Sequence, residues 1–198
     1  MIDLPRNQSE GLRQMISSGF TRSAGSLHAL LETHIDLEVP RIELLTLGEV
    51  WRKLLASDSD TLVSVSIRFR GPFSGTSTLM FPPETASKLV AILSETGVDS
   101  EDLEMVRAVT LLEVGNIVLN SVMGSIGNIL KTHFTFAVPD FMEDTAEKII
   151  RFPGKDSDLA LVSWAKFHVK FNRIEGRIVL IFEQRLRPKL VAAIEGPG

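Results

Sequence analysis

The sequence predicts an α/β protein of the α+β kind, in which an antiparallel-rich sheet made from two related halves packs with two long helices. Three observations carry this. Leu31, Thr33, His34, Val39 and Pro40 recur in order as Leu130, Thr132, His133, Val138 and Pro139, each 99 residues on. Further along, Gly75, Leu79 and Phe81 recur as Gly176, Leu180 and Phe182, now 101 residues on. Residues 62–70 alternate Val63, Val65, Ile67 and Phe69 against Ser64, Ser66 and Arg68, the period of a half-buried strand. Residues 101–131 carry a long helical pattern with one apolar and one polar stripe. Two copies make a pseudo-twofold domain, since a solenoid needs more repeats.

Within each copy the order is helix, strand, connection and a two-strand hairpin. In the first copy the helix covers about 10–31, and a strand follows at 36–44. Pro40 interrupts that strand, which suits a sheet edge or a strand end. A short helix over 45–55 leads to the strand at 62–70. Residues 71–75, with glycine at both ends, turn the chain into a return strand at 76–81. Pro82 and Pro83 then open a helix over 83–95. The second copy starts with Asp99 or Ser100 as a cap for the helix over 101–131, with Glu101, Asp102 and Glu104 matching its positive end. A strand over 134–141, interrupted by Pro139, follows; the hairpin runs through 159–171, a turn at 172–176 and a return over 177–183. These elements define one domain over 10–185, with pseudo-repeats at about 10–97 and 98–185. Residues 1–9 read as a flexible N-terminus and 186–198 as a C-terminal tail.

Composition narrows the function. A chain of 198 residues is long enough for one good core. A net charge of −4 makes a phosphate backbone a poor main partner, so no nucleic acid is expected. With no cysteine there are no disulfides, thiolate chemistry or zinc–thiolate sites. The N-terminus lacks the basic start and apolar run of a signal peptide. No stretch approaches the roughly eighteen uncharged apolar residues of a membrane helix. A cytoplasmic protein without a membrane partner is the expectation.

The polar stripe of the 101–131 helix holds Glu113, Asn116, Asn120, Gly124 and Gly127, while Leu111, Val118, Val122 and Ile129 fall opposite. A carboxylate can hold a partner's lysine and an amide can orient a water. Taken alone, Glu113 and Asn116 also fit two solvated polar residues on an exposed helix. Glycine inside a helix costs about 1 kcal/mol against alanine. Close approach of the core or of a docking partner would account for Gly115, Gly124 and Gly127, with the core at least as good a reason at Gly115. Other candidates are weaker. Ser163 and Lys166 have a Ser-x-x-Lys spacing, but in a strand they point to opposite faces. His28, His34, His133 and His168 are scattered, and no metal site is expected. The basic run 185–189 reads as a solvated end.

The segment 113–117 followed by Asn120, with the stretches 39–44 and 69–81, resembles the CheC/CheX/FliY phosphatase family of bacterial chemotaxis over about residues 10–185. The resemblance implies a CheC-like pseudo-symmetric domain that dephosphorylates a CheY-like response-regulator receiver. Glu113 would pair with the receiver's lysine, and Asn116 would hold the attacking water in line with phosphorus. Asn120, Gly124 and Gly127 would belong to the partner-binding face. No cofactor would be bound by this chain, because the Mg²⁺ would sit in the receiver's acidic pocket. Subtracting 99 from Glu113 and Asn116 gives Gln14 and Ser17, so the first site is expected to be degenerate. The alternatives are a non-catalytic interaction module like the FliM middle domain, or an adaptor binding CheD. A strand as long as 159–171 would offer a second copy a pairing edge if it lay at the rim of the sheet, which is the basis for expecting a homodimer.

Overall fold

The computed structural model describes residues 6–31, 35–55, 61–72, 74–93, 103–150, 159–169 and 172–182. Its elements in chain order are α1 (Arg6–Leu31), β1 (Ile35–Thr46), α2 (Leu47–Leu55), β2 (Leu62–Arg70), β3 (Gly75–Phe81), α3 (Pro83–Leu93), α4 (Leu103–Ile129), β4 (Thr135–Phe136), β5 (Asp140–Asp144), α5 (Ala146–Ile149), β6 (Leu159–Val169) and β7 (Asn172–Phe182). The sheet runs β1-β6-β7-β3-β2-β4, with β5 also on β2, and every pairing is antiparallel.

That order is a palindrome under exchange of the two halves. The hairpins β2–β3 and β6–β7 meet at the centre, and each outer strand pairs with the hairpin of the other half. Gly75 pairs with Phe182 across the central seam. A Cβ on Gly176 would lie 2.5 Å from the Phe81 ring, and one on Gly75 would lie 2.1 Å from the Ile181 carbonyl. The Gly, Leu and Phe identities at offset 101 therefore mark a symmetric contact in which each half's glycine admits a crowded neighbour. The helices obey the other offset. A Cβ on Gly19 would lie 2.6 Å from Val122 Cα, while Ser23 Oγ is 3.5 Å from the Val118 carbonyl oxygen. Adding 99 to 19 gives 118, and subtracting 99 from 122 gives 23, so these two contacts are mates across the same pseudo-axis.

Alternation along the strands divides the core. Val63, Val65, Ile67 and Phe69 face α1, α3 and α4 with Leu79, Ile178 and Leu180. Leu62, Met80, Val162, Val179 and Ile181 face the opposite way, under α2 and α5. On α4, Leu111, Val118 and Val122 are buried as the apolar stripe requires. The span Glu104–Asn128 is long and apolar enough to cross a membrane, nearer to that limit than the sequence reading allows. Half of its most apolar stretch is buried inside the protein, as expected of a core helix.

Several expectations change. Helix α1 starts at Arg6 and so takes in residues 6–9, read from sequence as a flexible end. Residues 1–5, the tail 186–198, His34 and the cap at Asp99 or Ser100 lie outside the described residues. The strand over 134–141 is two pieces. Ala137 N–H still donates to the Arg68 carbonyl at 2.9 Å, but Pro139 has no N–H for the ladder and pairing resumes only at Asp140. Its equivalent Pro40 sits where the β1–β6 register shifts, between Glu38 and Arg41. Strand β6 is interior, paired on both sides, so the edge on which a homodimer was expected is already used. Helix α5 has no counterpart in the sequence reading. Thr145 caps it by accepting from Lys148 N–H at 3.4 Å. Its mate 99 residues earlier, Thr46, caps α2: Thr46 N–H donates to Glu49 Oε2 at 2.9 Å, and Glu49 N–H donates to Thr46 Oγ1 at 3.3 Å. That reciprocal box was readable as Thr-x-x-Glu.

Helix α4 ends with Lys131 at φ 49°, in the left-handed region. Thr132 N–H reaches the Gly127 carbonyl at 2.8 Å and Lys131 N–H the Asn128 carbonyl at 3.3 Å, which is a Schellman cap. A Cβ strains this backbone, so Lys131→Gly is expected to stabilise the protein by up to about 1 kcal/mol. A higher urea midpoint with an unchanged slope would bear this out, and a lower midpoint would contradict it.

Candidate functional site

The outward stripe of α4 is held in place by three contacts. Gly115 lets the helix settle on β2, since a Cβ there would lie 2.5 Å from Val65 Cγ1. Gly19 lets α1 cross closely on another side. Near the N-terminal end, Arg107 Nη1 pairs with Glu143 Oε2 of β5 at 2.9 Å. With those sides committed, Glu113 is turned to solvent and Asn116, Asn120 and Gly124 are half-buried beside it.

Glu113 makes no ion pair or hydrogen bond among the described residues, and neither Val109 nor Ile117, four residues away on each side, offers it a cation. Its carboxylate is available to a cation from outside. Asn116 lies one turn on. Asn120 Nδ2 donates to Asn116 Oδ1 at 2.7 Å, so the nearer amide is held by the farther one. Among the described residues Asn120 Oδ1 is buried with no hydrogen-bond partner. Asn120 holds the amide oxygen of Asn116. The i, i+4 spacing of two amides was the sequence signal for this, and it passed unused there.

The three glycines differ. Gly115 is explained by Val65. Gly127 is buried at the helix end, where a Cβ would lie 2.9 Å from the Thr132 carbonyl. Gly124 has nothing within 4 Å of such a Cβ and leaves open backbone on the stripe. On α1, Gln14 is exposed and Ser17 half-buried at the positions matching Glu113 and Asn116. Thr21 Oγ1 donates to the Ser17 carbonyl at 3.1 Å, so that face carries neither a carboxylate nor a held amide at those positions. Ser163 is buried facing the helices, with Leu161, while Trp164 faces the other side of the sheet, so Lys166 points away from Ser163. Among the described residues no three His, Asp or Glu side chains converge as metal ligands.

The site is thus a solvent-facing carboxylate one helical turn from a braced amide, on a helix backed by a duplicated sheet. The profile of a family described as chemotaxis phosphatase CheX matches residues 63–160. The CheY-P phosphatase CheC of Bacillus subtilis (strain 168) is 25% identical over 150 residues, covering 74% of this chain and 71% of that protein. The structure of Thermotoga maritima FliY shares the fold with a TM-score of 0.73 at 16% identity, covering 98% of both chains. A chain in the CheX-CheY-BeF3-Mg+2 complex from Borrelia burgdorferi does so with a TM-score of 0.55 at 20% identity, over 84% of this chain and 96% of that one. Middle domains of FliM share the fold as well. Over these spans the chain is similar to the CheC/CheX/FliY proteins of chemotaxis, and it shares their fold.

If Asn120 orients Asn116, Asn120→Ala should lower turnover about tenfold while leaving KM for a phosphorylated partner within twofold. Steady-state kinetics would check this, with partial recovery in Asn120→Gln. A raised KM with unchanged kcat would mean that Asn120 only touches the partner.

Proposed function

We propose that this protein hydrolyses the aspartyl phosphate of a CheY-like receiver domain through the single site on α4. The observation that carries the reading is the solvent-exposed Glu113 carboxylate, without an ion pair or hydrogen bond among the described residues, one turn from an amide braced by Asn120. The family and its CheY-P phosphatase relative support it.

Glu113 pairs with a lysine of the receiver and so sets the helix over the acyl phosphate. Asn116 hydrogen-bonds a water and presents it to phosphorus. An amide suits that task because it binds water without repelling the phosphoryl oxygens. The water oxygen forms a bond to phosphorus, the bond from phosphorus to the aspartyl oxygen breaks, and its electron pair leaves with the receiver's carboxylate. Both protons of the water leave with inorganic phosphate, as dihydrogen phosphate. Mg²⁺ in the receiver's acidic pocket supplies charge neutralisation. The contribution of this chain is positioning and electrostatics, with no covalent intermediate on its own residues.

A second reading is a non-catalytic module that docks receivers, favoured by the loss of carboxylate and amide at Gln14 and Ser17. The two separate on phosphate release from a panel of phosphorylated CheY-like receivers. Faster release from one of them supports the enzyme. Binding of a receiver with no change in release supports the module.

A further inference from the structure

The most apolar stretch of α4 is half buried, as in a core helix, and the exposed part of the helix is not all polar. Among the described residues its two large exposed apolar side chains are Met105, 69% exposed, and Val109, 60% exposed. Isolated exposed apolar residues are common and mean little. These two are not isolated from the site. Val109 precedes Glu113 by four residues and Met105 by eight, so both fall on the Glu113 side of the helix, within a quarter turn of it. At 1.5 Å per residue they stand about 6 and 12 Å from Glu113 along the helix axis. On the far side of Glu113 the same stripe becomes polar and then bare, at Asn116, Asn120 and Gly124. Arg107, between them in sequence, is turned aside to pair with Glu143 of β5.

We propose that Met105 and Val109 form the apolar part of the docking face for the phosphorylated receiver, and thereby select which receivers this protein takes. This rests on the proposed phosphatase reading, because continuity with Glu113 and Asn116 is what names the occupant. The matching receiver presents an exposed apolar patch about 6–12 Å from the lysine that Glu113 engages. Binding there buries two side chains that are largely exposed in the free protein, at small ordering cost since both sit on a rigid helix. Receivers with a charged surface at that distance are rejected, because burying an unpaired charge against Met105 and Val109 is unfavourable.

The test is the double variant Met105→Ser, Val109→Ser in the full chain. Both residues are largely solvent-exposed, and the far-ultraviolet circular dichroism spectrum and urea midpoint establish that the variant is folded. Initial rates of dephosphorylation are measured against the concentration of a phosphorylated CheY-like receiver, and binding against the same receiver activated with beryllium fluoride and Mg²⁺. The proposal predicts that KM and Kd rise about tenfold or more while kcat changes less than twofold. Rates accelerated by the native protein, with KM and Kd of the variant within twofold of native, would overturn the docking face and leave the phosphatase reading intact. A native protein that binds the receiver without accelerating its dephosphorylation, with binding lost in the variant, would overturn the phosphatase reading and keep the docking face. A fall in kcat at unchanged KM would also overturn the proposal, by assigning these residues to the chemistry.

Discussion

Asn116→Ala is expected to slow dephosphorylation of the cognate receiver by roughly tenfold to several hundredfold while leaving receiver binding nearly unchanged. The reason is local. Asn116 is half-buried, its amide oxygen accepts from Asn120 at 2.7 Å, and no core side chain depends on it. Truncation removes the group that holds the water and leaves the helix in place. Glu113→Ala is expected to cost a similar factor, but with a different signature. Its carboxylate holds the partner, so its loss raises KM as well as lowering kcat. Steady-state kinetics with receiver as the varied substrate checks both. Equal effects on KM and kcat in the two variants would contradict the division of labour.

The second large effect concerns stability. Gly19→Val is expected to cost about 1–3 kcal/mol, because the new side chain meets backbone that cannot turn away. A Cβ at that position would lie 2.6 Å from Val122 Cα and 3.1 Å from the Ser121 carbonyl oxygen. Helix α1 must then move off α4, which also disturbs the stripe carrying Glu113. Gly25 is the control on the same helix. Nothing lies within 4 Å of a Cβ there, so Gly25→Ala should gain up to about 1 kcal/mol from helix propensity alone. Urea unfolding of both variants measures the contrast. Similar midpoints for the two would mean that the helix crossing is not as close as described.

Much of the fold is legible in the chain because duplication leaves identities at positions with a shared physical task. Pro40 and Pro139 interrupt the two outer strands, and Gly75 and Gly176 relieve the two sides of the central seam. The drift from 99 to 101 separates the helices and outer strands from the hairpins, which is where the two sets of contacts divide. What the chain does not disclose is the exchange between halves. An alternating strand shows which of its faces is buried, but not which neighbour it pairs with, so the sequence leaves open whether β6 lies at an edge, while in the fold β1 and β7 flank it. Helix α5 escapes for another reason: four residues are too few to show a period.

The site was legible as a stripe and illegible in its internal relations. Glu113 and Asn116 follow from helical geometry and from a resemblance the comparisons support. The roles of the neighbours depend on what each side chain meets. Gly115, Gly124 and Gly127 are one residue type with three reasons: a valine on the sheet, open solvent and the return of the chain. Asn120, grouped from sequence with partner-facing residues, donates inward to Asn116. Nothing in their residue types sets Met105 and Val109 apart from the other apolar residues of α4; their exposure does.

The most direct test of the central claim is the lifetime of the acyl phosphate on a CheY-like receiver, followed with and without this protein and with Asn116→Ala. The account predicts that the native protein shortens that lifetime and that the variant, binding the receiver equally well, does so at least tenfold less effectively. Equal lifetimes with native and variant protein, under conditions where both bind, would contradict it and make the α4 face a docking surface without chemistry.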